Sequence, residues 1–398
     1  MNDFDNKVKE IIKFISKSDK KTIKNKLHNI LEYNKFCPVV LGQGAFGKAY
    51  IPESKNIEVN IDGKKVNLPI VVKEAIDSED KDINKPDINI DIFDNKLYIV
   101  GNFNGITSEA IILMYIKRLY KITVHLPLIL GYGTCLEKNK INKIITTRLG
   151  LDREIEVDLT GKVYGDKKKI IHKSFITTLE DLYNYIYYSK NKDGSVILPN
   201  GIKCENISEL YDYICISYLA TYHLLTENKI YPQDMHNGNI FIHWLNDTSY
   251  YYNENIKNCK NIIYKVNNKY YKIKTFGFVI VLGDTGLFFL EAKKDVFIRG
   301  FGFGDKEMKN PHKNMMRDAT NNNIDIIRNH NMITPNEFIK SIAYKILNSE
   351  PYNLYPRYSH WGENITKNLS TPELLDFYYK KYGIDKYTKN KNTIFIKI

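Results

Sequence analysis

Asp234 and Asn239 stand five positions apart in the segment Tyr231-Pro232-Gln233-Asp234-Met235-His236-Asn237-Gly238-Asn239-Ile240-Phe241-Ile242. A carboxylate, four residues and an amide, running into an apolar strand-like stretch, is a layout suited to phosphoryl transfer. In such sites the carboxylate orients and deprotonates an attacking hydroxyl, and the amide oxygen holds a metal ion. The same residues also suit an ordinary polar turn, because Asn-Gly is a turn dipeptide. His236, two residues after Asp234, suits contact with a transferring phosphate as well as packing within the loop.

Four further signals accompany this segment in chain order. Gly42-Gln43-Gly44-Ala45-Phe46-Gly47 is a G-x-G-x-x-G run. A dinucleotide-binding turn needs a strand before it and a helix after it. Here strand-like residues lie on both sides, which predicts a glycine-rich β-hairpin with Phe46 at its tip. Its glycines would let backbone amides approach phosphates; the plainer alternative is a simple glycine turn.

Lys73 ends the apolar run Ile70-Val71-Val72. A charge at the end of a buried strand needs a partner or a route to solvent. Glu109, in the first turn of a predicted helix, is the natural partner, although a first-turn Glu also complements a helix dipole. Glu74 and Glu79 are weaker candidates, since neither begins a convincing helix. Asp284, in Asp284-Thr285-Gly286, follows the apolar residues 278–282 and could chelate a cation between phosphates. A β-turn would use the same triplet. So would an aspartic protease, but a second Asp-Thr-Gly is missing from the chain.

The elements that must position these groups are legible in outline. Residues 1–34 carry Val8, Ile11, Ile12, Ile15, Leu27, Ile30 and Leu31 at helical spacing, predicting one or two helices. Residues 57–61 and 66–75 read as strands joined at Asp62-Gly63. A polar stretch over 77–94 reads as an exposed insertion. Residues 108–120 read as an amphipathic helix, 126–130 and 144–147 as strands, and 179–188 as a helix. Residues 151–175 are charged and without clear pattern. A long apolar-striped helix is predicted over 207–225, just ahead of Asp234. Residues 246–268 read as a polar insertion and 270–282 as a strand or hairpin arm. Capped helices are predicted over 334–347 and 370–382.

At 398 residues the chain is long enough for two domains or one bilobal fold, and a hydrophobic content of 43% supports a full core. No run of about 20 apolar residues is present, so no membrane span is expected. The first residues lack the apolar stretch of a secretory signal, and secretion is not expected. The five cysteines are scattered without a C-x-x-C pair, as in a reducing compartment. The net charge of +12 is spread along the chain and mixed with acidic residues, so nucleic acid is not expected as the main partner.

With lid glycines, lysine, helix glutamate, Asp-x4-Asn and Asp-x-Gly in this order, the chain resembles the protein-kinase superfamily from about residue 39 to residue 286. The long arm over residues 263–278 ahead of Gly283-Asp284 is similar to the divergent serine/threonine kinases of large DNA viruses. The resemblance implies an α+β, bilobal protein-kinase-like fold with a β-rich N-lobe and a mainly helical C-lobe. Residues 1–34 would form a helical extension. Residues 35–150 would form the N-lobe, its boundary falling at 150 or at 178, and residues 151–398 the C-lobe with insertions.

It further implies ATP and Mg²⁺ (or Mn²⁺) as cofactors. Gly42, Gln43, Gly44, Ala45, Phe46, Gly47, Val71 and Lys73 would surround ATP. Lys73 and Glu109 would position the phosphates, Asp234 would serve the acceptor hydroxyl, and Asn239 and Asp284 would hold metal. His236 would touch phosphate or substrate. The acceptor would be a Ser or Thr hydroxyl of a protein substrate. In a viral setting, virion components would be partners, and the location would be the host cytoplasm or the virion.

The departures also carry meaning. Pro232-Gln233-Asp234 stands where the family has His-Arg-Asp. The missing arginine is the usual docking partner of a phosphorylated activation loop, which implies activity independent of loop phosphorylation. Thr285 replaces the Phe of Asp-Phe-Gly, and Val71 replaces the small alanine over adenine. No Ala-Pro-Glu follows Gly286. The hinge fits residues 146–150 or 177–179. His236 stands in place of a lysine, and Asp-x-His-x-Gly-Asn is similar to aminoglycoside and choline kinases. A small-molecule phosphotransferase and a non-catalytic pseudokinase scaffold in a virion therefore stand as alternatives.

Overall fold

The computed structural model describes residues 2–31, 34–35, 42–44, 47–50, 56–61, 64–75, 88–101, 106–134, 143–147, 155–158, 171–174, 178–189, 191, 193–232, 237–245, 259–300, 371–387 and 393–398. The predicted helix at 334–347 lies outside them.

The N-terminal periodicity builds two helices, α1 (Asn2–Lys17) and α2 (Lys20–Ile30). Asp19 separates them, and its carboxylate accepts from the Thr22 amide at 2.8 Å, which satisfies an orphan donor of α2. Val8, Ile11 and Ile15 of the first helix, with Ile23 and Leu27 of the second, are buried, so the pair is packed on the body of the protein.

Next come β1 (Asn34–Lys35), β2 (Gly42–Gly44), β3 (Gly47–Tyr50), β4 (Asn56–Ile61), β5 (Lys64–Ala75), β6 (Ile88–Phe93), β7 (Lys96–Gly101), α3 (Thr107–Lys117), β8 (Ile129–Thr134) and β9 (Lys143–Thr147). A seven-stranded sheet runs β1-β8-β9-β5-β3-β2, with β4 also paired to β5. Strand β8 begins at Ile129, later than the strand read at 126–130. Leu126 and Leu128 are buried in the preceding loop instead, which explains the apolar signal there.

The polar stretch over 77–94 is not an insertion at its C-terminal end. Residues 88–93 are strand β6, paired with β7, with Ile88 and Ile90 buried. Asn89 and Asp91 lie outward and Ile92 and Phe93 are exposed as well, so Ile88 and Ile90 alone carry the buried side of this strand. Helix α3 is buried along its whole length rather than amphipathic, because structure packs on every side of it.

The charged stretch 151–175 contains an antiparallel pair, β10 (Ile155–Asp158) and β11 (Ile171–Ser174). Helix α4 (Leu179–Ser189) and the short pair β12 (Val196–Ile197) and β13 (Lys203–Cys204) follow. Helix α5 (Ile207–Glu227) is the spine of the second part. It is buried almost throughout, and Asn206 caps it by accepting from the Ser208 amide. Then come β14 (Ile230–Tyr231), a 3₁₀ turn (Asn237–Asn239), β15 (Ile240–Trp244), β16 (Asn261–Val266), β17 (Lys269–Lys274) and β18 (Phe278–Leu282). A second 3₁₀ turn (Thr285–Leu287), β19 (Phe289–Lys293), β20 (Val296–Arg299), α6 (Thr371–Tyr382), β21 (Gly383–Ile384) and β22 (Thr393–Lys397) complete the described chain.

Residues 261–266, read as part of a polar insertion, form a strand of the four-stranded sheet β21-β17-β16-β22. The C-terminal strand β22 lies parallel to β16, a partner more than a hundred residues away that local pattern does not reveal. The single arm read at 270–282 is two strands. The break falls at Phe276 and Gly277, both at positive φ (51° and 76°).

The fold is thus mixed α+β, with six helices among the described residues. Among the described residues after 178, strands are as prominent as helices. A five-stranded sheet β14-β19-β20-β7-β6 joins strands from both halves of the chain. No described helix is long and apolar enough to cross a membrane.

Candidate active site

Strand β5 lies between β3 and β9, with Lys73 opposite Ala49 on one side and Ile144 on the other. Alternation along the strand buries Ile70 and Val72 and leaves Val71 and Lys73 part-exposed on the opposite face. The Lys73 ammonium reaches two carboxylates. Its Nζ lies 3.0 Å from Glu109 Oε1, in the first turn of α3, and 2.9 Å from Asp284 Oδ1. Glu109 is 5% exposed. The Thr285 hydroxyl, itself buried, donates to the same Glu109 oxygen at 3.1 Å.

Burial opposes the charge on Lys73, but Glu109 and then Asp284 overcome it and raise its pKa above the ordinary lysine value. Lys73 is therefore a fixed cation at neutral pH. Burial raises the pKa of Glu109, with Asp284 adding to it, while Lys73 and the Thr285 hydroxyl pull it back.

Asp284 sits at a sharp corner. It closes β18 and adopts a left-handed conformation (φ 44°, ψ 72°), which Asp tolerates better than most residues. Its side chain is 41% exposed. The chain then turns through Thr285–Leu287 close beneath the charged groups. A Cβ on Gly286 would stand 3.3 Å from Asp284 Oδ1, 3.7 Å from Glu109 Oε2 and 3.8 Å from Lys73 Nζ, so the absence of a side chain leaves the cluster unobstructed.

Asn239 joins this corner through the ladder of β15 and β18. Ile240 faces Leu282, and one step beyond that pair the Gly283 amide donates to the Asn239 carbonyl at 3.0 Å. Asn239 and Asp284 therefore flank the same end of the ladder. No cluster of three or more His, Cys, Asp or Glu suited to metal occurs among the described residues. One amide and one part-exposed carboxylate fit a cation that takes most of its ligands from phosphates and water, as Mg²⁺ does.

The glycine run forms a tight hairpin. Gly42 pairs with Ala49, Gln43 with Lys48, and Gly44 with Gly47. Its second strand is hydrogen-bonded to β5, which puts the hairpin next to Lys73 in the sheet. Val71 faces Thr146 of β9 across the ladder. The two hinge candidates are both element ends, the close of β9 at Thr147 and the start of α4 after Thr178, with β10 and β11 inserted between them. Thr178 bridges to Phe241 and is fastened to Asp181, whose carboxylate accepts from its amide and hydroxyl at 2.9 and 2.8 Å.

Asp234, His236, Ala45 and Phe46 lie outside the described residues. The structure brings together Lys73, Glu109, Asp284 and Asn239, with Gly42, Gly44 and Gly47 alongside.

Two supporting groups were missed in the sequence. In the sequence Thr285 stands out as a departure from Asp-Phe-Gly, and a hydroxyl beside an acidic residue is a usable donor signal. His125 lies in the apolar run ahead of β8. It is fully buried and hydrogen-bonded through Nδ1 to the Ile280 carbonyl and through Nε2 to the Tyr264 hydroxyl, both at 2.7 Å. Its own carbonyl accepts from the Leu282 amide at 2.9 Å. This histidine thus ties the loop after α3 to the strand that ends at Asp284. A lone imidazole in an apolar run was the only hint of it. No protein-family model matches this chain, and no curated protein gives a significant match to it.

Proposed function

We propose that the chain is an ATP-dependent kinase of the bilobal protein-kinase type, transferring the γ-phosphoryl group to a Ser or Thr hydroxyl of a protein with Mg²⁺. The observation that carries the proposal is Lys73 Nζ held between Glu109 at 3.0 Å and Asp284 at 2.9 Å, on the strand bonded to a glycine-rich hairpin. A cation paired to a buried helix carboxylate, with a second and more exposed carboxylate facing it, suits the recognition of polyphosphate.

Each residue then has a distinct task. Glu109, held by Thr285, fixes the Lys73 ammonium so that it meets the α- and β-phosphates without searching. The backbone of Gly42, Gly44 and Gly47 covers the phosphates. Asn239 and Asp284 would hold the metal, and Asp234 would accept the proton of the attacking hydroxyl. Bound Mg²⁺ would supply neutralisation of the charge on the β- and γ-phosphate oxygens. The protein's share is positioning and preorganised charge. The resemblance to kinases of large DNA viruses supports a setting in host cytoplasm or virion.

The test is transfer of label from γ-labelled ATP with Mg²⁺ to casein, myelin basic protein and the protein itself. Label that disappears in both Asp284→Ala and Asp234→Ala supports the proposal. Phosphorylation of a metabolite without labelled protein would replace it with a small-molecule phosphotransferase. Mg·ATP binding without any transfer would replace it with a pseudokinase scaffold.

A further inference from the structure

Helix α3 carries Glu109 in its first turn, so the direction of this helix decides whether Glu109 meets Lys73. Both of its ends are fastened. At the first turn, the Ser108 hydroxyl donates to the Gly300 carbonyl at 2.7 Å, and a Cβ on Gly101 would lie only 1.9 Å from the same oxygen. At the last turn, Lys117 is 4% exposed and donates to the Ile129 carbonyl at 2.9 Å. Its charge is answered by Asp5 of α1 at 2.8 Å, and its Nζ lies 4.4 Å from the centre of the Phe4 ring. The Phe4 ring in turn packs edge-on against Tyr132 of β8, with centroids 5.8 Å apart. A buried ammonium needs such a partner, so α3 is fixed to α1 by a specific contact and not by apolar packing alone.

The same two N-terminal helices grip the five-stranded sheet. Lys20 donates to the Asn95 carbonyl in the turn between β6 and β7 and lies 3.7 Å from Asp295 in the turn between β19 and β20. Lys24 pairs with Asp91 at 3.2 Å. Lys293 of β19 donates to the carbonyls of Ser16 and Ser18, where α1 gives way to α2. Strands β19 and β20 continue directly from Asp284-Thr285-Gly286. The N-terminal pair therefore spans from the far end of α3 to the chain that carries Asp284, the two sources of carboxylate for Lys73.

We infer that α1 and α2 are an intramolecular brace, and that Phe4 and Asp5 are positioning residues which act through Lys117 to hold Glu109 against Lys73. The catalytic consequence rests on the proposed kinase function; the mechanical one does not. A chain braced in this way needs no separate activating partner to set α3.

The test compares the full-length protein with Asp5→Asn and with Phe4→Ala combined with Asp5→Asn. Amide hydrogen exchange is followed by peptide and Mg·ATP affinity is measured in parallel. The brace predicts exchange in α3 faster by about tenfold, with α5 protected as in the parent. Mg·ATP affinity should fall by roughly threefold to tenfold, and this loss should vanish in a Glu109→Gln background, as expected for residues that act through Glu109. Unchanged α3 protection overturns the brace. Equal loss in α3 and α5 overturns it as well, since Phe4 and Asp5 would then serve only global stability. A loss of affinity that persists in Glu109→Gln overturns the positioning role. A parent protein that binds no Mg·ATP overturns the kinase assignment, and the exchange comparison still decides the brace.

Discussion

The Gly283 amide donates to the Asn239 carbonyl at 3.0 Å, one step beyond the last paired residues of β15 and β18. That backbone bond fixes where Asp284 stands relative to Asn239. It ties the end of β15 to the end of β18 through main chain alone, without reliance on long side chains. Gly283 is sterically required, because a Cβ there would clash with the Phe241 ring.

Gly283→Ala should therefore disturb the site as well as the fold. Phe241 must move, at a cost of about 1–3 kcal/mol. Urea unfolding should register that loss, and Mg²⁺-dependent ATP binding should weaken with it. An unchanged midpoint together with unchanged ATP binding would show that the corner is not tightly set.

Thr285→Val removes the hydroxyl that donates to Glu109 and keeps the shape. The cost in stability should be about 1 kcal/mol, that of one buried hydrogen bond to an acidic group. Phosphoryl transfer should fall by roughly tenfold, and Thr285→Ser should restore most of it. If Val and Ser variants behave alike, the hydroxyl has no part in holding Glu109.

His125 should make the fold acid-sensitive. Burial lowers its pKa to about 4, against the help of the Ile280 carbonyl. The unfolded chain binds a proton near the ordinary histidine value while the folded chain does not. The contribution of this group is therefore full above about pH 6.5 and is lost as pH falls toward 4, a span of about 3 kcal/mol. Urea midpoints measured from pH 7 to pH 4.5 should show this slope in the parent. In His125→Gln the slope should flatten, with lower stability at pH 7 because two buried hydrogen bonds are disturbed.

Phosphatase treatment should leave transfer activity within about twofold of the untreated protein. The strands that follow Asp284 are already ordered, with β19 paired to β14 and β20, and β20 paired to β7. The segment 231–234 also lacks the arginine that would receive a phosphate. Loss of activity on dephosphorylation, with recovery on autophosphorylation, would show a charge switch outside these strands.

The sequence by itself determined the parts whose causes are local. Gly42, Gly44 and Gly47 form a hairpin because turn chemistry acts over a few residues. Lys73 lies on a strand and Glu109 in the first turn of a helix because periodicity and helix-end preferences are carried by near neighbours. Residues 207–227 form a helix for the same reason. Tertiary structure alone decided the rest. Residues 88–93 pair only with the adjacent β7, which is itself held in the sheet by the remote β20, and residues 261–266 pair with the adjacent β17 and with the C-terminal β22, so the sheets that hold both strands depend on segments far along the chain. Thr285 became a support for Glu109, and Asp5 a partner for Lys117, only when remote segments met. The pairing of Lys73 with Glu109 is expected from the sequence, but Asp284 as a second carboxylate on the same ammonium required β5, α3 and the corner after β18 to converge, with both contacts within 3.0 Å. That convergence is set by how buried faces pack, which depends on the whole core.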